Sequence, residues 1–104
     1  MSMVHVLAFI TAKPGQRDTV LELFNANVPN VLAEDGCIEY GAAVDTPDAG
    51  PIQTALGDDG FVVIEKWASL EALGAHAVSP HMKEYGAKTK DMLAGRVIHV
   101  LSSA

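Results

Sequence analysis

Residues 4 to 12, VHVLAFITA, are apolar or β-branched at almost every position and run into Lys13-Pro14-Gly15, a strong turn signal. They predict a first strand with apolar side chains on both faces. From Gln16 to Glu34 the period changes. Val20, Leu23, Phe24, Val28, Val31 and Leu32 recur at the spacing of one helical face and predict an amphipathic helix. Pro29 leaves the Asn25 carbonyl without its helical donor, so a kink is expected there. Glu34-Asp35-Gly36 predicts the helix end, with Gly36 in the left-handed cap.

CIEYGAAVD, residues 37 to 45, predicts the second strand. It leads into a Pro/Gly-rich connection, TPDAGPIQTALGDDG, in which residues 52 to 56 are a candidate extension of the hairpin. Asp58-Asp59-Gly60 is the turn before the third strand, FVVIEKW, residues 61 to 67. Ser69 is placed to cap a short helix from Leu70 to Ala77. Ser79-Pro80 starts another, with Ser at the N-cap and Pro at the first helical position. That helix carries Met82, Tyr85, Gly86, Thr89, Met92 and Leu93 on one face and is expected to end at Gly95. RVIHVL, residues 96 to 101, predicts the fourth strand.

The order β-α-β-β-α-β is that of the α+β, ferredoxin-like split βαβ fold, a four-stranded antiparallel sheet with helices on one face. A chain of 104 residues with 49% hydrophobic content fits a single domain over 1–104. Its strands are apolar on both sides: Val6, Ala8 and Ile10 alternate with Leu7 and Phe9, and Ile98 and Val100 with Val97 and Leu101. Helices can cover only one side. The other would leave an apolar patch larger than a soluble monomer tolerates, so a homodimer through the sheet face is expected.

A net charge of -6 and the absence of basic clusters exclude a nucleic-acid footprint. The N-terminus has neither a basic leader region nor a span long enough for a membrane, which points to a cytoplasmic protein. The one cysteine, Cys37, makes no intramolecular disulfide and no Cys-x-x-Cys zinc site; it reads as a small buried hydrophobe.

Two of the four histidines stand close together in AHAVSPHMKEYG, residues 75 to 86. On one helix, positions five apart point roughly 140° away from each other, and Pro80 breaks the helix between them. Neither has the carboxylate spacing of a His-Glu-x-x-His site, and Glu84 stands alone three residues after His81, so no metal is expected. His81 falls at the second helical position, where the helix dipole opposes a proton on imidazole and favours a nearby anion. It is a candidate general base. His76 is its candidate partner if the chain folds back at Val78-Ser79, and Tyr85 shares the face of His81. The plainer alternative is two surface histidines. Trp67 reads as a core or rim anchor or as a pocket wall, and Tyr40 as packing. His5 and His99 are expected to pair across neighbouring strands, and Glu65 is either a surface charge or an inward carboxylate. No glycine-rich nucleotide cradle is present. These residues outline a small apolar pocket between sheet and helices, with histidines and tyrosines at its mouth.

AFITAKPGQ (8 to 16), VPNVLAEDGCIEY (28 to 40) and VVIEKWASLEALGAHAVSPHMKEY (62 to 85) together resemble the antibiotic biosynthesis monooxygenase-like family, and within it the quinol monooxygenase branch. The resemblance implies a dimeric α/β barrel and a pocket for small aromatic or quinonoid substrates, with no cofactor, neither metal nor flavin. His81 or His76 would act as the base. Tyr40 and Trp67 would shape the pocket, Tyr85 would orient the anion, and Met82 and Glu65 would complete the substrate-binding set. Haem-degrading relatives carry Asn, Trp and His where this chain has Ala8, His76 and Gly86, so haem is not expected. Another branch, an isomerase of a phosphorylated signalling sugar, shares the His-x-x-x-x-Pro-His pattern. It would need a phosphate site, for which Arg17, Lys66, Lys83, Lys88, Lys90 and Arg96 are the candidates. A dimeric binding module without turnover is the third reading.

Overall fold

The computed structural model describes residues 2–104. Its elements are β1 (Val4–Ala12), α1 (Arg17–Leu32), β2 (Cys37–Ala43), β3 (Gly60–Trp67), α2 (Leu70–Ala77), α3 (Pro80–Thr89) and β4 (Leu93–Leu101), with a 3-10 turn at Lys90–Met92 before β4. The strands form one antiparallel sheet in the order β2-β3-β1-β4. This is the expected α+β ferredoxin-like architecture, with the helical segment between β3 and β4 split into α2 and α3.

Strand alternation decides what the sheet buries. Val4, Val6, Ala8, Ile10 and Ala12 of β1 point inward and are buried, as are Phe61, Val63, Glu65 and Trp67 of β3. Val20, Phe24 and Val31 of α1 close over them, and Phe24 stacks on Tyr40 of β2 at 5.1 Å between ring centroids. The helices reach over β2, β3 and β1 but not fully over β4, whose inward Ile98 and Val100 are about half exposed.

Several boundaries differ from the sequence pattern. The last helix stops at Thr89 rather than Gly95, because the Met92 carbonyl accepts from Lys13 N at 2.8 Å and Leu93 pairs with Ala12. Three more residues thereby join the edge strand. Residues 52–56 form no strand: Asp45 accepts from the backbone N–H groups of Leu56 (2.8 Å) and Gly57 (3.0 Å), so those donors are used within the loop. His5 and His99 do not face each other, since His5 pairs with Leu101 and His99 with Leu7. His99 instead meets Phe9 edge-on at 6.0 Å.

Gly36 is left-handed as expected, but α1 already ends at Leu32 with Ala33 as its C-cap, so the glycine turns the chain into β2 rather than capping the helix. Its φ is +83°, and a Cβ there would lie 2.6 Å from the Ala72 Cβ of α2. Its carbonyl accepts from Ala68 N at 2.8 Å. The tail of α1 is thus pinned against the start of α2, which brings Glu34 beside the junction of α2 and α3.

Candidate functional site

The junction of α2 and α3 is a sharp turn held by its own backbone. Ser69 caps α2 by accepting from Ala72 N at 3.1 Å, and α2 ends one residue after His76. Ser79 takes the N-cap position of α3, but its hydroxyl donates to the His76 carbonyl at 2.8 Å instead of capping the new helix. The chain folds back at this point, and the two histidines meet.

They meet on Glu34. One carboxylate oxygen, Oε2, lies 2.9 Å from His76 Nδ1 and 2.7 Å from His81 Nε2. For both contacts to be hydrogen bonds, each of those nitrogens carries a hydrogen. The anion that the start of α3 favours is therefore the protein's own. The three ligand-type atoms lie within 4.8 Å of one another, a spacing open to a cation if both nitrogens gave up their hydrogens. Zinc-type bonds of about 2.0–2.1 Å at tetrahedral angles would set neighbouring ligand atoms about 3.3 Å apart. The Glu34 contacts are shorter than that and fit two N–H donors on one carboxylate.

Between the inner sheet face and the helices lies a cavity of about 610 Å³. His76, Tyr40, Glu65, Tyr85 and Met82 line it, over an apolar floor that includes Val6, Ala8 and Val63. His76 is only 4% exposed; its ring leans on Trp67 at 4.6 Å and meets Tyr40 edge-on at 5.4 Å. With Nδ1 committed to Glu34, Nε2 is the ring nitrogen that has no hydrogen-bond partner among the described residues, and it is the one available to a molecule in the cavity. Trp67 is fully buried and does not line the cavity. It acts from beneath, backing His76 and donating from Nε1 to Glu65 Oε1 at 2.9 Å.

His81 lies elsewhere. It borders a second, smaller depression of about 130 Å³ with Asn27, Asn30, Glu84 and Lys88 and is absent from the lining of the main cavity. Of the two histidines, only His76 presents its ring to the large pocket.

Electrostatics sort the remaining groups. Burial pushes the Tyr85 hydroxyl up to about 12, and burial, with the nearby Glu65 charge next, raises that of Tyr40 further. Both stay protonated at neutral pH and act as donors. Glu65 is raised by burial and by Glu34, while the Trp67 hydrogen bond and His76 work in the opposite direction. Cys37 is raised by burial, then by Glu34 and Glu65, which holds it as a thiol rather than a nucleophile.

Glu34 is the residue that sequence reasoning missed. A search for a carboxylate within one helical turn of either histidine could not find a partner 42 residues upstream. One signal was present: α1 ends with acidic residues just after it and no basic residue in its last turn, against the preference of the helix dipole. Such an acid has another reason to be there.

Comparison with known proteins places the chain in a family. Residues 3–88 match the family described as antibiotic biosynthesis monooxygenase. The chain is 40% identical over 101 residues to the Escherichia coli protein named "Probable quinol monooxygenase YgiN", covering 95% of this chain and 96% of that one. The solved structure of Rv0793 from Mycobacterium tuberculosis superposes with a TM-score of 0.80 at 28% identity, over 99% of this chain and 96% of that one. A conserved protein from Methanosarcina mazei Go1 shares the fold, with a TM-score of 0.83 at 22% identity over 100% and 95% of the two chains. The chain belongs to the antibiotic biosynthesis monooxygenase family.

Proposed function

We propose that the protein is a monooxygenase that oxidises a quinol or a related aromatic small molecule with O₂, using neither metal nor flavin, and that His76 is its general base. The observation that carries this reading is the Glu34–His76 contact at 2.9 Å behind a ring that faces a cavity of about 610 Å³. The likeness to the E. coli protein with quinol monooxygenase in its name supports the substrate class.

A closed-shell quinol reacts slowly with O₂, whereas its anion is a good electron donor. His76 Nε2 takes the hydroxyl proton, and Glu34 holds Nδ1–H so that the correct nitrogen faces the substrate and the resulting imidazolium is stabilised. One oxygen atom enters the ring and the other leaves as water. All four electrons come from the quinol, so the balance needs no reductant. The hydroxyls of Tyr40 and Tyr85 donate to the developing oxyanion, Met82 packs against the ring, and the buried carboxyl of Glu65 closes the pocket on the β3 side. His81 shares Glu34 and helps to position it.

The same proposal includes a cytoplasmic homodimer packed sheet against sheet. The test of activity is oxygen uptake by chelator-treated protein with a panel of hydroquinones and naphthoquinols. Uptake is expected, with kcat at least about 10²-fold lower in His76→Ala. Wild-type uptake by both His76→Ala and His81→Ala overturns it, and tight quinone binding without uptake points to a binding module. A second reading, isomerisation of a phosphorylated sugar, draws support from Lys90 and Arg96, which line the cavity.

A further inference from the structure

The cavity has a chemical polarity. Tyr40, Glu65 and Val6 form one row across the inner face of the sheet, with His76 above it. Phe61, Ile10 and Arg96 form another row four residues along, about 13 Å away at the rise of a strand. Arg96 lines that far end from β4, and Lys90 lines it from the turn after α3. The intervening wall, Ala8, Val63 and Ile98, is apolar.

These two cations stand out because the chain is acidic, with only seven basic residues against 13 acidic ones. Among the described residues Arg17, Lys66 and Lys88 are in ion pairs and Lys13, Lys83, Lys90 and Arg96 are in none; of these four, Lys90 and Arg96 line the cavity. Two unpaired cations on one cavity edge of a protein with net charge -6 attract an anion that the rest of the surface repels. Arg96 adds a planar fork suited to a carboxylate.

Resting on the proposed quinol chemistry, we infer that the substrate is an aromatic acid: a one- or two-ring quinol whose oxidisable hydroxyl sits at His76 and whose carboxylate sits between Lys90 and Arg96. The carboxylate fixes which hydroxyl meets the base. A neutral ring of the same size fits the apolar middle of the cavity without that register.

The test compares a naphthohydroquinone with the same ring bearing a carboxylate, and a third probe, a sugar phosphate, covers the other anion that two cations could hold. The wild type is expected to favour the carboxylated ring. In Arg96→Gln and Lys90→Gln the ratio of kcat/KM for the carboxylated over the neutral ring falls about tenfold, mainly through KM. Arg96→Lys keeps part of the preference. Equal loss on both rings, or no change in the ratio, overturns the inference while leaving the oxidation reading intact. If neither ring is oxidised, that reading falls, and calorimetry of carboxylated-ring binding decides the inference alone: binding weakened by Arg96→Gln supports it. Tighter binding of the sugar phosphate than of the carboxylated ring overturns it.

Discussion

Glu34 joins two imidazoles through one oxygen, so its loss separates positioning from packing. Glu34→Gln keeps the size of the side chain but offers either an amide N–H or a weaker carbonyl to His76, and the preference for a lone pair at Nε2 is lost. The expected result is a kcat on a quinol about 10²-fold lower with KM nearly constant, and partial recovery in Glu34→Asp. A purely structural role would instead lower the folded fraction and leave kcat per folded molecule intact. Glu65 gives a second test. Its raised pKa means the folded state holds this proton more tightly than the unfolded state. The stabilising effect is complete below the ordinary carboxylate range, near pH 4.3, and is lost as pH rises through the folded pKa. Glu65→Gln keeps an acceptor for Trp67 and removes the charge, so its thermal midpoint at pH 7 is expected to exceed that of the wild type by a few degrees, with the gain vanishing at pH 4. At this scale spacing placed Tyr85 and Met82 on one face of α3, while Tyr40 read from spacing as packing and entered the pocket set through the family resemblance; all three line the cavity. Glu34 was not, since its partners lie 42 and 47 residues away, beyond any local period. The greater weight given to His81 rested on the helix start, which is real, but Glu34 rather than a substrate fills it.

The tail of α1 and the loop after β2 show how elements place that chemistry. Gly36 combines a left-handed φ with a Cβ position 2.6 Å from Ala72, so Gly36→Ala meets both backbone strain and a clash. A cost of about 2–4 kcal/mol in chemical denaturation is expected, with loss of activity because Glu34 moves with the joint. The loop between β2 and β3 is tied by Asp45, whose carboxyl is held below its usual range by the Leu56 and Gly57 N–H bonds. A lowered pKa contributes stability that is present above the ordinary carboxylate range and lost as pH falls through the folded value. Limited proteolysis between residues 46 and 57 is therefore expected to speed up on acidification and to be fast at every pH in Asp45→Ala. Signals of this kind were only partly legible. The turn glycine at 36 was plain from Glu-Asp-Gly, because only one backbone conformation there suits glycine so well. The start of β4 was not. Met92 and Leu93 fit the apolar face of α3 in a helical count, and it took the bonds to Lys13 and Ala12 to draw them into the sheet.

For the whole molecule the alternation of helical and strand periods was enough to give element order and sheet type, because each helix has one apolar face that packing on the sheet buries, while the strands are apolar on both faces. The helices leave the outer face of the sheet uncovered. A monomer of 11.0 kDa is expected to expose about 5,600 Å², whereas this chain exposes 6568 Å². Its radius of gyration, 14.1 Å, likewise exceeds the roughly 13 Å typical of this length. The surplus, roughly 970 Å², is of the order of the share of about 800 Å² that one partner contributes to a standard interface. The outer sheet face is one apolar part of that surface: Phe9, Val97 and Leu101 are 37%, 55% and 43% exposed there beside Leu7, Val62 and Ile64. In the proposed homodimer a second copy of the chain would present the same apolar face and cover it. Sedimentation at micromolar concentration is expected to give twice 11.0 kDa, and thermal stability to rise with protein concentration. Val97→Glu, which places a charge on that face while leaving the inner core alone, is expected to yield a monomer whose midpoint no longer depends on concentration. A wild-type chain that sediments at 11.0 kDa under the same conditions removes the sheet-to-sheet dimer and leaves the apolar face to another partner.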